Sequence, residues 1–429
     1  MLLFFEGETF MEYGLIGEHL GHSYSKMIHE SFGKYSYELK EIEKENIDTF
    51  LASKNFKAIN VTVPYKLKAL ESADVLDASA KMTNSANCLV NRNGQVTAYN
   101  TDISGIAYTF ERNNMNVQGK KVVILGDGGV AQTFKAYLKD KKAGEILSVY
   151  YKSKPGTISY EELKEKHKDA QILINATPVG TAPNLTDCPL DLDGFDDLEF
   201  VFDVIYNPAQ TALLLQAQKK NIPFSNGLWM LIVQAKVAAE HFLGESLSDD
   251  SLQALYNSIL CENLNLVLIG MPSSGKTTIG SMAAKKLSRP FVDADKAIEN
   301  EQNCTIAHIF EEQGEAGFRA LEKDMMARLA KAHGTVISCG GGVVLDPDNM
   351  DILSQNGLIV YLQRDLQNLV SYDPSRPMLV YGLENLYNLR KPMYEGSADV
   401  IIDNNHSISK TLNDTISALE NLEGANRLK

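Results

Sequence analysis

At 429 residues the chain is longer than one hydrophobic core usually organises, which predicts two or three domains. A composition of 44% hydrophobic and 22% charged residues is that of a globular protein in water, and a net charge of −14 excludes the basic excess of a nucleic-acid binder. The most apolar stretch, Leu228 to Ala239, carries Gln234 and Lys236 and is too short to span a bilayer, so a cytoplasmic protein with no membrane partner is expected.

Residues 1–10 hold an apolar tetrad without a basic flank, a poor signal peptide, and are expected to be an extension outside the fold. Cys88, Cys188, Cys261, Cys304 and Cys339 are dispersed without a C-x-x-C pair and read as reduced thiols. A strand from Tyr13 enters the polar loop Gly21–Ser25, followed by a helix from Lys26 to Phe32. By themselves Ser23 and Ser25 read as turn or cap residues. Ala58–Lys66 alternates like a strand until Pro64, placing Asn60 and Thr62 on one face and Ile59, Val61 and Val63 on the other. With Lys66 just beyond, that polar face is either a hydrogen-bonding surface for a small polyol or acid, or a solvated edge.

Two more polar clusters, Asn84–Cys88 and Tyr99–Asp102, flank the short strands 89–90 and 95–98. Lys121-Val-Val-Ile-Leu125 then runs into Gly126, Gly128, Gly129 and Val130: a buried strand, a glycine turn and a helix start, the first βα unit of a dinucleotide fold. Ile146–Tyr151 falls where its second strand belongs.

Residues 12–259 resemble shikimate dehydrogenase. The stretches that carry this are Leu-Gly-His-Ser-Tyr-Ser (20–25), Asn-Val-Thr-Val-Pro-Tyr-Lys (60–66), Asn-Thr-Asp (100–102), Asn-Ala-Thr-Pro-Val-Gly (175–180), Asp-Val-Ile-Tyr-Asn-Pro (203–208) and Asn-Gly-Leu-Trp-Met-Leu-Ile-Val-Gln (226–234). The resemblance implies that Ser23, Ser25, Thr62, Asn87, Tyr206 and Gln234, with Asn60 on the same face, bind the hydroxyls and carboxylate of shikimate, and that Lys66 and Asp102 form the dyad at the reacting hydroxyl. Hydride transfer to a ketone leaves an alkoxide, which an ammonium can stabilise and protonate. The glycine turn and Gly227 are implied to contact the dinucleotide. Three departures stand out. Asp127 occupies a position where the family usually has Ala, and an acid there is expected either to face solvent or to weaken cofactor binding. Tyr151-Lys152-Ser153 replaces the Asn-Arg-Thr that selects a 2′-phosphate, with Lys152 and Ser153 left to meet it and NADP favoured over NAD. Lys26 stands where a proline is common.

Residues 251–260 have helical spacing and are expected to close this part, with only Cys261–Asn263 before the next strand. Leu264–Ile269 then leads into Gly270-Met-Pro-Ser-Ser-Gly-Lys-Thr-Thr278, a P-loop between strand and helix. Gly270, Ser273, Ser274, Gly275, Lys276, Thr277 and Thr278 are its candidate nucleotide contacts; Lys276 reaches the β/γ-phosphates and Thr277 is a Mg²⁺ ligand. Phe291–Asp295 ends a strand with two acids, Asp293 and Asp295, placed to hold Mg²⁺ and meet a substrate hydroxyl. Arg319 follows a helix and a glycine break, Gly340–Gly342 follow a strand, and Arg376 and Arg390 sit beside prolines or at helix junctions. Residues 264 to about 420 resemble shikimate kinase. By that resemblance Asp295, Arg319, Gly341 and Arg390 contact shikimate, the arginines clamping its carboxylate, and Arg376 approaches the ATP phosphates from a lid. That lid, from Gln367 to Pro374, is shorter than the family's and lacks a second arginine, with Ser371 nearby instead.

The expected architecture is thus α/β throughout, with largely parallel sheets: a substrate lobe (11–110), a Rossmann-type NADP lobe (111–262) whose last helices return to the substrate lobe, and a P-loop kinase domain (263–429). The expected function is bifunctional, NADPH-dependent reduction of 3-dehydroshikimate followed by ATP- and Mg²⁺-dependent phosphorylation of shikimate. Two alternatives are one active half with a ligand-sensing partner half, and a quinate/shikimate dehydrogenase using NAD.

Overall fold

The structure, a computed structural model, describes residues 10–21, 24–369 and 382–422. Ser23, Arg376 and most of the expected lid lie outside the described residues, as do residues 1–9. The chain divides into two compact units: the first comprises residues up to Pro178, Leu192–Val204 and Asn221–Tyr256, and the second comprises Val179–Asp191, Ile205–Lys220 and Asn257 onward.

The first unit contains two sheets. One has six strands in the order Glu38–Glu41, Met11–Gly17, Phe56–Val61, Cys88–Arg92, Gln95–Tyr99, Val75–Leu76. Three of its five pairings are parallel, as a largely parallel sheet requires, while Phe56–Val61 pairs antiparallel with Cys88–Arg92, and that strand pairs antiparallel with Gln95–Tyr99. The last of these pairings follows from a two-residue turn at Asn93-Gly94, both at positive φ (55° and 86°), whose twist suits a hairpin. The strand carrying Asn60 stops at Val61, so Thr62 lies in the turn beyond it and Val63 is 66% exposed, not on the buried face that alternation assigned to it. Tyr37, Ala58, Cys88 and Phe242 pack on one side of this sheet, and Ile16, Ile59, Val61 and Leu89 on the other.

The second sheet is parallel, in the order Phe224–Ser225, Phe200–Asp203, Ile172–Asn175, Lys121–Leu125, Glu145–Val149. Its central strand Ile172–Asn175 is buried throughout, and the neighbouring strand Lys121–Leu125 is buried from Val122 to Leu125, the continuous apolar runs of a sheet covered on both faces. The strand placed at Ile146–Tyr151 in fact ends at Val149, which leaves Tyr150 and Tyr151 in the following loop. Helix Leu228–Leu243 lies against helix Asp102–Arg112 at Gly105, where a Cβ would run into the Met230 carbonyl. That close approach brings Gln234 to the end of the helix that begins with Asp102.

The second unit carries a five-stranded parallel sheet ordered Phe291–Asp293, Val336–Ser338, Asn265–Ile269, Gly357–Gln363, Val400–Asp403. All five residues of its central strand are buried, and the P-loop leaves that strand's C-terminal end, the edge where parallel α/β sheets bind ligands. Helix Leu252–Asn263 runs on through the residues expected to form a link, so no spacer precedes strand Asn265–Ile269. Among the described residues no helix is long and apolar enough to cross a membrane.

Candidate functional sites

In the first unit four elements converge on one polar cluster. Lys66 opens helix Lys66–Ser72, Asp102 opens helix Asp102–Arg112, Asn87 precedes strand Cys88–Arg92, and Gln234 projects from the middle of helix Leu228–Leu243. The Lys66 ammonium donates to Asp102 Oδ2 at 2.6 Å, with the two side chains 15% and 9% exposed. Asn87 Nδ2 donates to Asp102 Oδ1 (2.9 Å), to Thr101 Oγ1 (3.1 Å) and to Gln234 Oε1 (3.4 Å). Thr101 closes the ring, its N–H reaching Asn87 Oδ1 at 2.8 Å and its hydroxyl reaching Gln234 Oε1 at 3.3 Å. The carboxylate of Asp102 therefore has both oxygens engaged, which fixes the direction of the ammonium and leaves its remaining donors for a ligand.

A second layer holds Asn87. Tyr37 Oη donates to Asn60 Oδ1 at 2.7 Å, and Asn60 Nδ2 donates to the Asn87 carbonyl at 3.2 Å. Asn60 is 5% exposed with both ends of its amide used, so its side chain braces Asn87 from beneath. Ser25 is buried at the start of its helix, and half-buried Thr62 lies against Gly17, a position where a Cβ would meet the Thr62 methyl at 2.7 Å. Tyr206 belongs to the second unit, in the loop after Phe200–Asp203, and burial raises its hydroxyl pKa. Thr101 and Tyr37 were not singled out in the sequence; Thr101 stands inside the Asn-Thr-Asp motif, whereas nothing around Tyr37 pointed to the site.

The glycine turn follows strand Lys121–Leu125 and precedes helix Gly129–Asp140. At Gly126, φ is 105° and a Cβ would stand 3.0 Å from the Ala176 carbonyl, while Gly128 and Gly129 face open space, a cradle that fits a pyrophosphate against main chain. Val130 is half-buried in the first turn of that helix. Gly227 is demanded by packing, since a side chain there would strike the Val204 carbonyl. Lys152 and Ser153 are exposed. Asp127 does not face solvent: its side chain is 4% exposed and paired with Lys135 and Lys154. Burial would raise the pKa of this carboxyl, but the two ammonium groups outweigh it and hold the pKa below its ordinary value.

In the second unit an open cleft of about 720 Å³ is lined by Lys276, Thr277, Asp293, Asp295, Arg319, Glu322, Gly340–Gly342 and Arg390, with Pro272, Phe310 and Phe318 among its apolar walls. Lys276, 7% exposed, donates to the carbonyls of Gly270 (3.0 Å) and Met271 (2.9 Å), curling back over the P-loop. Within that loop Gly270, Ser273 and Gly275 have φ of 147°, 64° and 92°, Ser274 is fully buried, and Thr278 follows Thr277 on the exposed side of the helix. Thr277 Oγ1 donates to Asp293 Oδ2 at 2.6 Å, placing a hydroxyl beside a carboxylate at the mouth of the loop. One hydroxyl, one carboxylate and phosphate oxygens are the donors Mg²⁺ takes from a nucleotide site, so these residues fit that ion.

The three-glycine turn has a definite cause. A Cβ at Gly340 would lie 2.5 Å from Asp295 Oδ1, one at Gly341 would lie 2.8 Å from Pro272, and one at Gly342 would strike the Arg319 guanidinium. Only bare main chain lets these side chains close around one space. Arg390, 2% exposed, donates Nη1 to the Gly341 carbonyl at 3.0 Å, and among the described residues its buried Nε and Nη2 have no hydrogen-bond partner. Such donors are costly to bury unless an anion completes them. Glu322 was missed from sequence although it stands one helical turn from Arg319; it accepts from Arg319 Nη1 at 2.7 Å and aims the guanidinium. Burial raises the Glu322 pKa against the pull of Arg319.

These two sites define a chain that joins a dinucleotide-type oxidoreductase fold to a P-loop phosphotransferase fold. Comparison with known proteins gives the particular families. A model of the shikimate dehydrogenase substrate binding domain matches residues 15–89, and a shikimate kinase model matches residues 272–420. The chain is 32% identical to the shikimate dehydrogenase (NADP(+)) of Clostridium perfringens over 267 residues, 58% of this chain and 98% of that protein. It is 42% identical to the shikimate kinase of Hahella chejuensis over 146 residues, 32% of this chain and 76% of that protein. The crystal structure of shikimate dehydrogenase 1 from Peptoclostridium difficile matches with a TM-score of 0.53 at 31% identity, covering 58% of this chain and 97% of that one. The chain belongs to the shikimate dehydrogenase family in its first part and to the shikimate kinase family in its second.

Proposed function

We propose that the chain reduces 3-dehydroshikimate to shikimate with NADPH and then phosphorylates shikimate with ATP. The observation that carries this reading is the presence of a reacting set in each half: the Lys66–Asp102 pair within its amide ring, and the Lys276, Asp295, Arg319 and Arg390 cleft, where two buried guanidinium donors have no partner among the described residues.

In the first reaction NADPH, when bound, supplies the hydride. The Lys66 ammonium, fixed by Asp102, stands ready to donate a proton to the developing alkoxide oxygen, while Asn87, Gln234, Thr62, Ser25 and Ser23 fix the other oxygens of the ring. In the second reaction the P-loop N–H groups and Lys276 take charge off the transferred phosphoryl group; Thr277 and Asp293 would hold Mg²⁺, which would supply further positive charge there. Arg390 and Arg319 clamp the carboxylate bidentately, and Asp295 receives the attacking hydroxyl. The domain bounds 11–110, 111–262 and 263–429, and a cytoplasmic location, go with this reading. No observation favours a ligand-sensing half, since neither cluster lacks its reacting groups.

The test is to supply the purified chain with 3-dehydroshikimate, NADPH, ATP and Mg²⁺ and to follow NADPH loss and ADP formation together. Lys66→Ala should stop both signals but leave phosphorylation of added shikimate intact, and Lys276→Ala should stop only ADP formation. ADP formation that needs added shikimate in the unsubstituted chain would remove the first half of the proposal.

A further inference from the structure

The loop after the second strand of a dinucleotide fold meets the adenosine ribose: a carboxylate there accepts the 2′-hydroxyl, and a cation accepts a 2′-phosphate. Here that loop reads Tyr150-Tyr151-Lys152-Ser153-Lys154-Pro155 and contains no acid. Strands Lys121–Leu125 and Glu145–Val149 are parallel neighbours, and Gly126 N donates to the Val149 carbonyl at 2.8 Å, so the glycine turn and this loop adjoin. Asp127 bridges them. Its Oδ1 accepts from Lys135 (2.5 Å) and Gln132 (2.8 Å), and its Oδ2 pairs with Lys154 (2.5 Å).

Two consequences follow from the chemistry. A carboxylate with both oxygens taken by ammonium groups cannot also chelate a ribose diol, so Asp127 does not provide an NAD-type contact. Two cations against one anion leave a net positive charge at the turn, which removes the repulsion that an acid beside a pyrophosphate would otherwise exert. Lys152 is not anchored in this way; its ammonium lies over the Tyr151 ring, 5.0 Å from the centroid. Lys154 is anchored by Asp127, its ammonium lies 5.6 Å from the Tyr150 ring centroid, and its side chain is 48% exposed, within reach of a ligand.

We propose that Lys154, positioned by Asp127, binds the 2′-phosphate of NADP and thereby sets the preference of this chain for NADP over NAD. The inference rests on the dehydrogenase reading above and names the residue that carries its cofactor specificity. Lys154 is the contacting group; Asp127 is a positioning residue that acts through it.

The experiment is calorimetric titration of the full chain with 2′,5′-ADP and 5′-AMP, fragments that differ only in the 2′-phosphate, alongside NADP⁺ and NAD⁺. Lys154→Ala should weaken 2′,5′-ADP roughly ten-fold or more, the scale of one charged hydrogen bond, and leave 5′-AMP unchanged. Lys154→Arg should retain the preference. Asp127→Asn should lower the ratio of the two affinities by freeing Lys154, and Lys154→Ala should lower it further than Lys152→Ala does; a larger loss with Lys152→Ala would overturn the assignment to Lys154. Equal weakening of both fragments by Lys154→Ala, or a ratio raised by Asp127→Asn, would overturn the inference. A chain that binds both dinucleotides without preference also overturns it while leaving the dehydrogenase reading intact; one that binds neither removes both.

Discussion

Replacing Asp102 by Asn tests the dehydrogenase site most sharply because it changes one charge and almost no volume. An asparagine at 102 can still present an oxygen to Asn87 Nδ2, now 2.9 Å from Oδ1, but then its amide nitrogen faces the Lys66 ammonium, 2.6 Å from the present Oδ2. Two donors cannot share that distance, so Lys66 must swing away or stay unpaired. With the side chains 15% and 9% exposed the pair is close to the buried limit, where stranding one partner costs about 3–5 kcal/mol. If most of that cost falls on the geometry needed for proton donation, kcat/KM for NADPH-dependent reduction should fall by roughly 10²–10³, at about 1.4 kcal/mol per factor of ten. The assay is steady-state reduction of 3-dehydroshikimate by the full chain, with phosphorylation of added shikimate measured on the same sample as an internal control. A loss below ten-fold, or a parallel loss of kinase turnover, would refute the view that Asp102 acts by holding Lys66.

Arg390→Lys keeps the charge but not the fork, so the KM for shikimate in the kinase reaction should rise by roughly ten-fold or more while reduction is unaffected; an unchanged KM would show that the unmet Nε and Nη2 serve something other than a carboxylate. A pH effect on the first unit follows from His29, which is 1% exposed, stacked on Tyr37 at 4.0 Å, hydrogen bonded through Nδ1 to the Tyr35 hydroxyl at 2.6 Å, and lowered by burial to a pKa of about 3. Because its folded pKa lies below its unfolded value near 6.5, the unfolded chain binds the extra proton between pH 6.5 and 3, and stability is lost as pH falls through that window, by about 1.4 kcal/mol per unit. Trp229, the single tryptophan and 1% exposed within the first unit, should report this in urea melts at pH 7 and pH 5. His29→Gln should flatten the pH dependence, and an equal slope in both proteins would contradict the assignment.

What the sequence revealed of the fold follows from how local each signal is. The P-loop strand, the glycine turn after Leu125 and the long apolar helix from Leu228 are each set by contiguous residues, and the structure has all three. Alternation failed at Val63 because a strand's period says nothing about where the strand stops, and Thr62–Tyr65 turns before the pattern runs out. The hairpin of Cys88–Arg92 with Gln95–Tyr99 was not singled out because Asn93-Gly94 was not taken as a turn signal, though that dipeptide between two short apolar runs is one.

The side-chain clusters divide in the same way, and the division explains which residues escaped notice. Lys66, Asp102, Asn87 and Gln234 stand in motifs of their own, so each could be found without knowing that they meet. Tyr37, Glu322, Lys135 and Lys154 have no motif, and their contribution exists only once another residue has been placed: Tyr37 beneath Asn60, Glu322 beside Arg319, and the two lysines on Asp127. A substitution such as the Ala-to-Asp difference at 127 therefore cannot be judged from its own position. In isolation it adds a repulsive charge to a phosphate site; with its lysines in place, an anion buried in the glycine turn becomes the means of holding cations there, and the sign of its effect on cofactor binding reverses.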